Sequence, residues 1–164
     1  MTEMEFPALL TREQASASVR AKAATFEVDS ATLSYHPFAG FVHAMALPRT
    51  KMESRIHTLV DRLTGKTFIT DPWPELRRSG AGSDRVEDPL WNSITFEDAR
   101  LRSRRLVATA SLRKMKLGHN SKIREIQSHE KIWKPNWLLA GRLGGQELKV
   151  LVDGMNGGYY VVGC

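Results

Sequence analysis

The chain has 164 residues, 41% of them hydrophobic, with a formal net charge of +6, enough for one ordinary core or for two half-size units sharing one. Its single cysteine, Cys164, excludes an internal disulfide and a Cys-rich zinc site. An acidic opening, Met1 to Pro7, and the lack of any apolar run near the roughly 20 residues that cross a bilayer argue against a secretory signal and a transmembrane helix, so the expected setting is soluble and cytoplasmic.

Taken in order, Thr11 is a good helix N-cap and Gln14 three residues on completes a capping box. Ala15, Val19, Ala23 and Phe26 follow at helical spacing, which predicts a helix from Thr11 to about Phe26 lying flat on strands. From Ala31 to Leu47 the composition turns aromatic and β-branched. Pro37 cannot donate to a ladder and is expected at an edge, a bulge or a strand start, with Phe41, His43 and Met45 on one face. Pro48 to Ser54 reads as a turn, Arg55 to Leu63 as a strand, Gly65 as the end of a turn and Lys66 to Thr70 as a third strand.

Residues 71–94 read as a linker. Pro72 and Pro74 flank Trp73 and forbid a helix, Ser79 to Asp84 is flexible by composition, and the indoles of Trp73 and Trp91 are expected to tie the segment down. Thr95 then caps a second helix, with Asp98 in the capping-box place, running to about Leu117 before Gly118. Lys122 to Trp133 reads as a strand, and Trp133-Lys134-Pro135 repeats the aromatic-x-Pro pattern of Tyr35-His36-Pro37. Gly144-Gly145 makes a turn, and Leu148 to Val152 and Tyr159 to Val162 are the last strands.

The landmarks therefore occur twice. Leu59 to Ile69 runs apolar residues into Asp61, then Gly65, then an apolar-aromatic strand; Leu151 to Val161 does the same around Asp153 and Gly157. The predicted fold is α+β, two tandem αβββ units with helices packed on antiparallel sheets, either separate or as one continuous pseudo-twofold sheet. The units are residues 1–70 and 95–164, joined by 71–94 in one compact body. Leu59 to Gly65 and Leu151 to Gly157, with the aromatic-Pro strands before them, make the chain resemble a duplicated PepSY-type, more broadly cystatin-like, α+β unit, in which a helix packs across a curled sheet. What that resemblance implies is a binding, inhibitory or assembly role rather than chemistry.

Asp61 and Asp153 invite an aspartic-protease reading, but neither is followed directly by Thr or Ser and then Gly. A turn-forming Asp accepting backbone N–H bonds accounts for both, with Gly65 and Gly157 as the structural turn residues beside them. His36, His43 and His57 lack the close spacing of zinc ligands; His43, alternating with Phe41 and Met45, reads as a sheet-face histidine. His119 and His129 read as solvated. Both Gly-Gly pairs precede strands, so no phosphate loop opens a helix, and no Gly-x-Ser-x-Gly elbow is present. The residues assign no catalytic, cofactor-binding or metal role, and the predicted function is a non-enzymatic one: protein binding, self-association or an accessory role in an assembly.

The alternative is nucleic acid or another acidic partner. Arg100, Arg102, Arg104, Arg105, Arg113, Lys114, Lys116, Lys122 and Arg124 place nine positive charges within 25 residues, much of the run on the helix 95–117, at a sequence pI of 9.7. Such density neutralises phosphates and binds in a salt-dependent way, although a helix on a sheet also shows solvent a charged back. Arg100 and Arg104, four apart, read as one solvent stripe.

Overall fold

Both helices begin where their caps predict. In a computed structural model describing residues 3–46, 52–80, 85–115 and 123–163, the order is β1 (Met4–Glu5), α1 (Arg12–Arg20), β2 (Glu27–Ala46), β3 (Glu53–Val60), β4 (Thr67–Thr70), β5 (Arg77–Arg78), α2 (Phe96–Met115), β6 (Ile123–Leu143), β7 (Gln146–Asp153) and β8 (Tyr159–Gly163). Thr11 and Gln14 cap α1 reciprocally, and the Thr95 hydroxyl accepts from the Asp98 N–H at 3.1 Å. α1 stops earlier than its apolar spacing suggests, because Phe26 turns back into the core while Arg20 Nε donates to its carbonyl at 3.3 Å.

The strands run longer than predicted. β2 has 20 residues and β6 has 21, carrying Pro37 and Pro135 within them. Two compact units divide the chain, and both long strands are split between them: unit 1 is Met1–Met4, Pro37–Pro74 and Glu87–Ile132, and unit 2 is Glu5–His36, Glu75–Val86 and Trp133–Cys164.

In unit 1, β2 pairs antiparallel with β3 from Ala39↔Val60 to Ala46↔Glu53, and β3 with β4 from His57↔Thr70 to Val60↔Thr67. Ala39, Phe41 and Val60 close on Ala99 of α2, with Phe96 stacked on Phe41 at 5.4 Å. A hydroxyl pair, Thr58 with Ser103 at 2.5 Å, ties sheet to helix inside this core.

In unit 2, β6 pairs with β7 from Asn136↔Asp153 to Leu143↔Gln146, and β7 with β8 across a bulge. Ala15 and Val19 of α1 pack with Phe26, Leu139, Val150 and Val152. Gly141 is a close-approach position, where a Cβ would run into the Glu27 carbonyl and the Phe26 ring.

The expected tandem αβββ units with helices on their own antiparallel sheets are overturned. The described residues are mostly strand with two helices, in a mixed eight-stranded sheet of order β4-β3-β2-β6-β1-β5 with β7 on β6 and β8 on β7. A helix, a long strand and two shorter strands do recur along the chain, yet α2 shares its unit with β3 and β4, and α1 shares its unit with β7 and β8. The reason is reach: a strand of 20 residues spans ~65 Å, far more than a half-size core can cover, so its two ends enter different cores. No helix among the described residues is long and apolar enough to cross a membrane.

Candidate functional site

The two Asp-Gly corners have matching geometry. In unit 1, Asp61 Oδ1 accepts from the Leu63 N–H at 2.9 Å, Oδ2 from the Thr64 hydroxyl at 3.0 Å, and the Gly65 N–H donates to the Asp61 carbonyl at 2.7 Å. In unit 2, Asp153 Oδ1 accepts from the Met155 N–H at 2.8 Å, and the Gly157 N–H donates to the Asp153 carbonyl at 3.0 Å. Gly65 and Gly157 sit at φ of 82° and 80°, where a side chain is strained.

Their surroundings differ. Asp153 Oδ2 holds the buried Lys134 ammonium at 2.8 Å. Lys134 also donates to Asn136 Oδ1 at 3.0 Å, and Asn136 Nδ2 lies 2.9 Å from His36 Nδ1. Burial pushes the Lys134 pKa below its ordinary value while Asp153 opposes the shift.

The basic run does not form one stripe. Arg100 is half-buried, paired with Glu97 and with Glu125 at 2.9 Å, its guanidinium 4.8 Å from the Phe96 ring centre, so the reading of Arg100 and Arg104 as a shared solvent face is corrected. Arg124 pairs with Glu53 at 3.1 Å, and Arg102 donates to the Gly65 carbonyl at 3.5 Å. Arg102, Arg104, Arg105 and Arg113 are exposed on α2. Lys116 and Lys122 lie outside the described residues, as does the Lys114 side chain.

Sequence reasoning missed a cleft in unit 1 of about 320 Å³, lined by Glu3, Trp91, Phe96, Ser128, His129, Glu130 and Lys131. A turn closed by Asp88, which accepts from the Leu90 and Trp91 N–H groups, presents Trp91. The buried Arg62 guanidinium lies 4.6 Å from the Trp91 ring centre, donates to the Ile94 carbonyl at 2.8 Å and meets Glu130 at 3.3 Å. Lys131 Nζ lies 4.6 Å from the same ring centre and 3.5 Å from Glu3. The one signal for this site was an indole inside a stretch otherwise read as linker.

Trp73 is tied down as well. Its Nε1 donates to Thr70 at 3.0 Å, and its ring stands 5.2 Å from His57 and 6.2 Å from His129. A Cβ at Gly40 would lie 2.7 Å from the Trp73 ring, so glycine is what admits the indole there. Burial lowers the pKa of His57, with Arg55 adding to the effect, and burial lowers that of His129; His129 is half-buried beside Trp73 rather than fully solvated. Among the described residues, no group of three or more His, Cys, Asp or Glu is placed to hold a metal ion.

A further exposed feature is β8. Among the described residues it pairs with β7 alone, and Tyr160, Val161 and Val162 are 60%, 57% and 47% exposed. Comparison with known proteins returns no match: no family profile, no curated protein and no solved structure matches the chain.

Proposed function

We propose that the protein is a non-enzymatic assembly subunit that associates with a second copy of itself along β8. The observation that carries this reading is the run Tyr160-Val161-Val162, exposed on a strand that, among the described residues, has β7 on one side only. Unpaired backbone N–H and C=O groups on an edge are a template for another strand, and proteins usually guard such edges with charge or proline. Tyr159 to Gly163 contains neither. Two copies of a chain with net charge +6 thus meet there without local repulsion, and antiparallel pairing of a strand with itself is compatible with a closed twofold. A role without catalysis is supported by the use of both corner aspartates in holding backbone turns. The PepSY-like resemblance, which implies binding, points the same way.

Analytical ultracentrifugation over the accessible concentration range tests the proposal. Wild type is expected to show a monomer–dimer equilibrium, and Val161→Lys to abolish it with an unchanged far-ultraviolet circular dichroism spectrum. A wild type that stays monomeric throughout sinks the idea.

A second reading, nucleic-acid association, rests on the four exposed arginines of α2, Arg102, Arg104, Arg105 and Arg113. It requires a mobility shift with unrelated duplexes at low salt that fades as salt rises; absence of any low-salt shift removes it.

A further inference from the structure

We infer that the outward face of α2 docks unit 1 on a membrane surface that carries anionic lipids. This face shares no residue with β8 and stands apart from self-association. α2 turns Ala99, Ser103, Val107 and Ser111 inward, with Ser103 bonded to Thr58 of β3. At about 100° per residue, the opposite face is centred on Leu101, Arg105 and Leu112. All three are exposed, the leucines by 49% and 55%. The exposed Arg104 flanks them on one side, and the exposed Arg102 and Arg113 on the other. The acidic residues of α2 are confined to its first turn, Glu97 and Asp98. Among the described residues no carboxylate pairs with these four arginines, whereas Arg62, Arg100 and Arg124 of the same unit each meet a glutamate. Arg102 gives one N–H to the uncharged Gly65 carbonyl at 3.5 Å, so its charge too remains for a partner.

The leucines decide which partner. The phosphates of a duplex take hydrogen bonds from arginine but offer nothing to two leucines at the centre of the face. A protein groove reads apolar anchors three, four and seven residues apart on a helix. Leu101 and Leu112 stand eleven apart, about three turns, with Arg105 between them. A bilayer surface imposes no such spacing. A helix lying in its plane sinks apolar side chains below the headgroups, while arginines beside them bend their guanidinium groups back to the lipid phosphates. The net charge of +6 draws the chain toward such a surface. Anionic headgroups also relieve the repulsion between Arg102 and Arg105, neighbours three apart on the helix.

Co-sedimentation of the full chain with vesicles of equimolar phosphatidylserine and phosphatidylcholine, and with phosphatidylcholine alone, tests the inference. Wild type is expected to sediment with the mixed vesicles, less so as salt rises, and not with phosphatidylcholine. Leu101→Gln combined with Leu112→Gln, at exposed positions with little bearing on folding, should weaken mixed-vesicle binding about tenfold or more, the scale set by partial burial of two leucines. Arg105→Gln should weaken it about fivefold. An unchanged far-ultraviolet circular dichroism spectrum shows that both variants are folded. No binding to mixed vesicles, equal binding to phosphatidylcholine alone, or unchanged affinity in the leucine variant each overturns the inference. Binding of a duplex that the leucine variant keeps in full, without vesicle binding, makes nucleic acid the partner and overturns it as well.

Discussion

His43 is 1% exposed beneath α2, and its Nδ1 has no hydrogen-bond partner among the described residues. Burial is the main cause that lowers its pKa below 6.5; Glu125 of β6 opposes the shift and Arg104 of α2 adds to it. A folded-state pKa below the unfolded value means that the unfolded chain binds the proton more readily. The stability from a neutral His43 is complete above the unfolded pKa and is lost as pH falls below it, at up to about 1.4 kcal/mol per pH unit. Urea unfolding from about pH 7.5 down to about pH 5 should show falling stability in wild type and a shallower fall in His43→Leu. Equal slopes would refute the assignment, and the half-buried His57 and His129, whose pKa values burial also lowers, account for the slope that remains. The corner aspartates separate in the same kind of measurement. Asp153→Asn keeps the turn acceptor but leaves the Lys134 ammonium buried without its carboxylate, a loss of about 3 kcal/mol, whereas Asp61→Asn, bonded within its own turn, should cost less than about 1 kcal/mol. Comparable losses at the two sites would remove the distinction. That both aspartates make Gly-closed turns was legible from five-residue windows; that only one of them neutralises a buried lysine was not, since Lys134 is 19 positions away and reaches Asp153 through strand pairing.

At the scale of elements, the helix starts were readable and their buried faces were less so. The cap of α2 rests on the Thr95 hydroxyl, so Thr95→Ala is expected to cost about 1 kcal/mol in thermal or chemical unfolding; an unchanged midpoint would show that the cap contributes nothing. The face that α2 buries is Ala99, Ser103, Val107 and Ser111, spaced by four. Counting apolar residues from Phe96 to Leu117 picks out Phe96, Ala99, Leu106, Ala110, Met115 and Leu117 at only partly helical spacing, which includes the buried Ala99 but passes over Ser103 and Ser111, because serine is scored as polar. Here the serines are satisfied locally, Ser103 by Thr58 at 2.5 Å and Ser111 by the Val107 carbonyl at 2.7 Å, and their small size lets the helix lie close to β3. The strands were readable by composition but not by length. Pro37 and Pro135 look like interruptions in a window of ten residues, yet each sits inside a strand about 20 residues long.

For the whole molecule, the division of the chain carries the strongest expectation. Unit 1 needs α2 from beyond residue 95 and the β3–β4 hairpin from before residue 71, and unit 2 needs α1 together with β7 and β8. Fragments 1–94 and 95–164 should therefore each lack cooperative unfolding alone and regain it when mixed, as followed by circular dichroism and heteronuclear NMR. A fragment that folds alone would restore a tandem arrangement of independent units. By itself the sequence determined the caps, the Asp-Gly corners and the strand-forming stretches, the uncharged run Tyr159–Val162 among them, because each depends on residues within a few positions of one another; that Tyr160, Val161 and Val162 are exposed was decided by the tertiary structure. Only the tertiary structure decided which helix covers which hairpin, that His129 is half-buried, and that Glu3, Trp91 and Lys131 line one cleft. Those outcomes depend on which distant segments exclude water from one another, and a strand long enough to serve two cores leaves that choice open until the chain has folded.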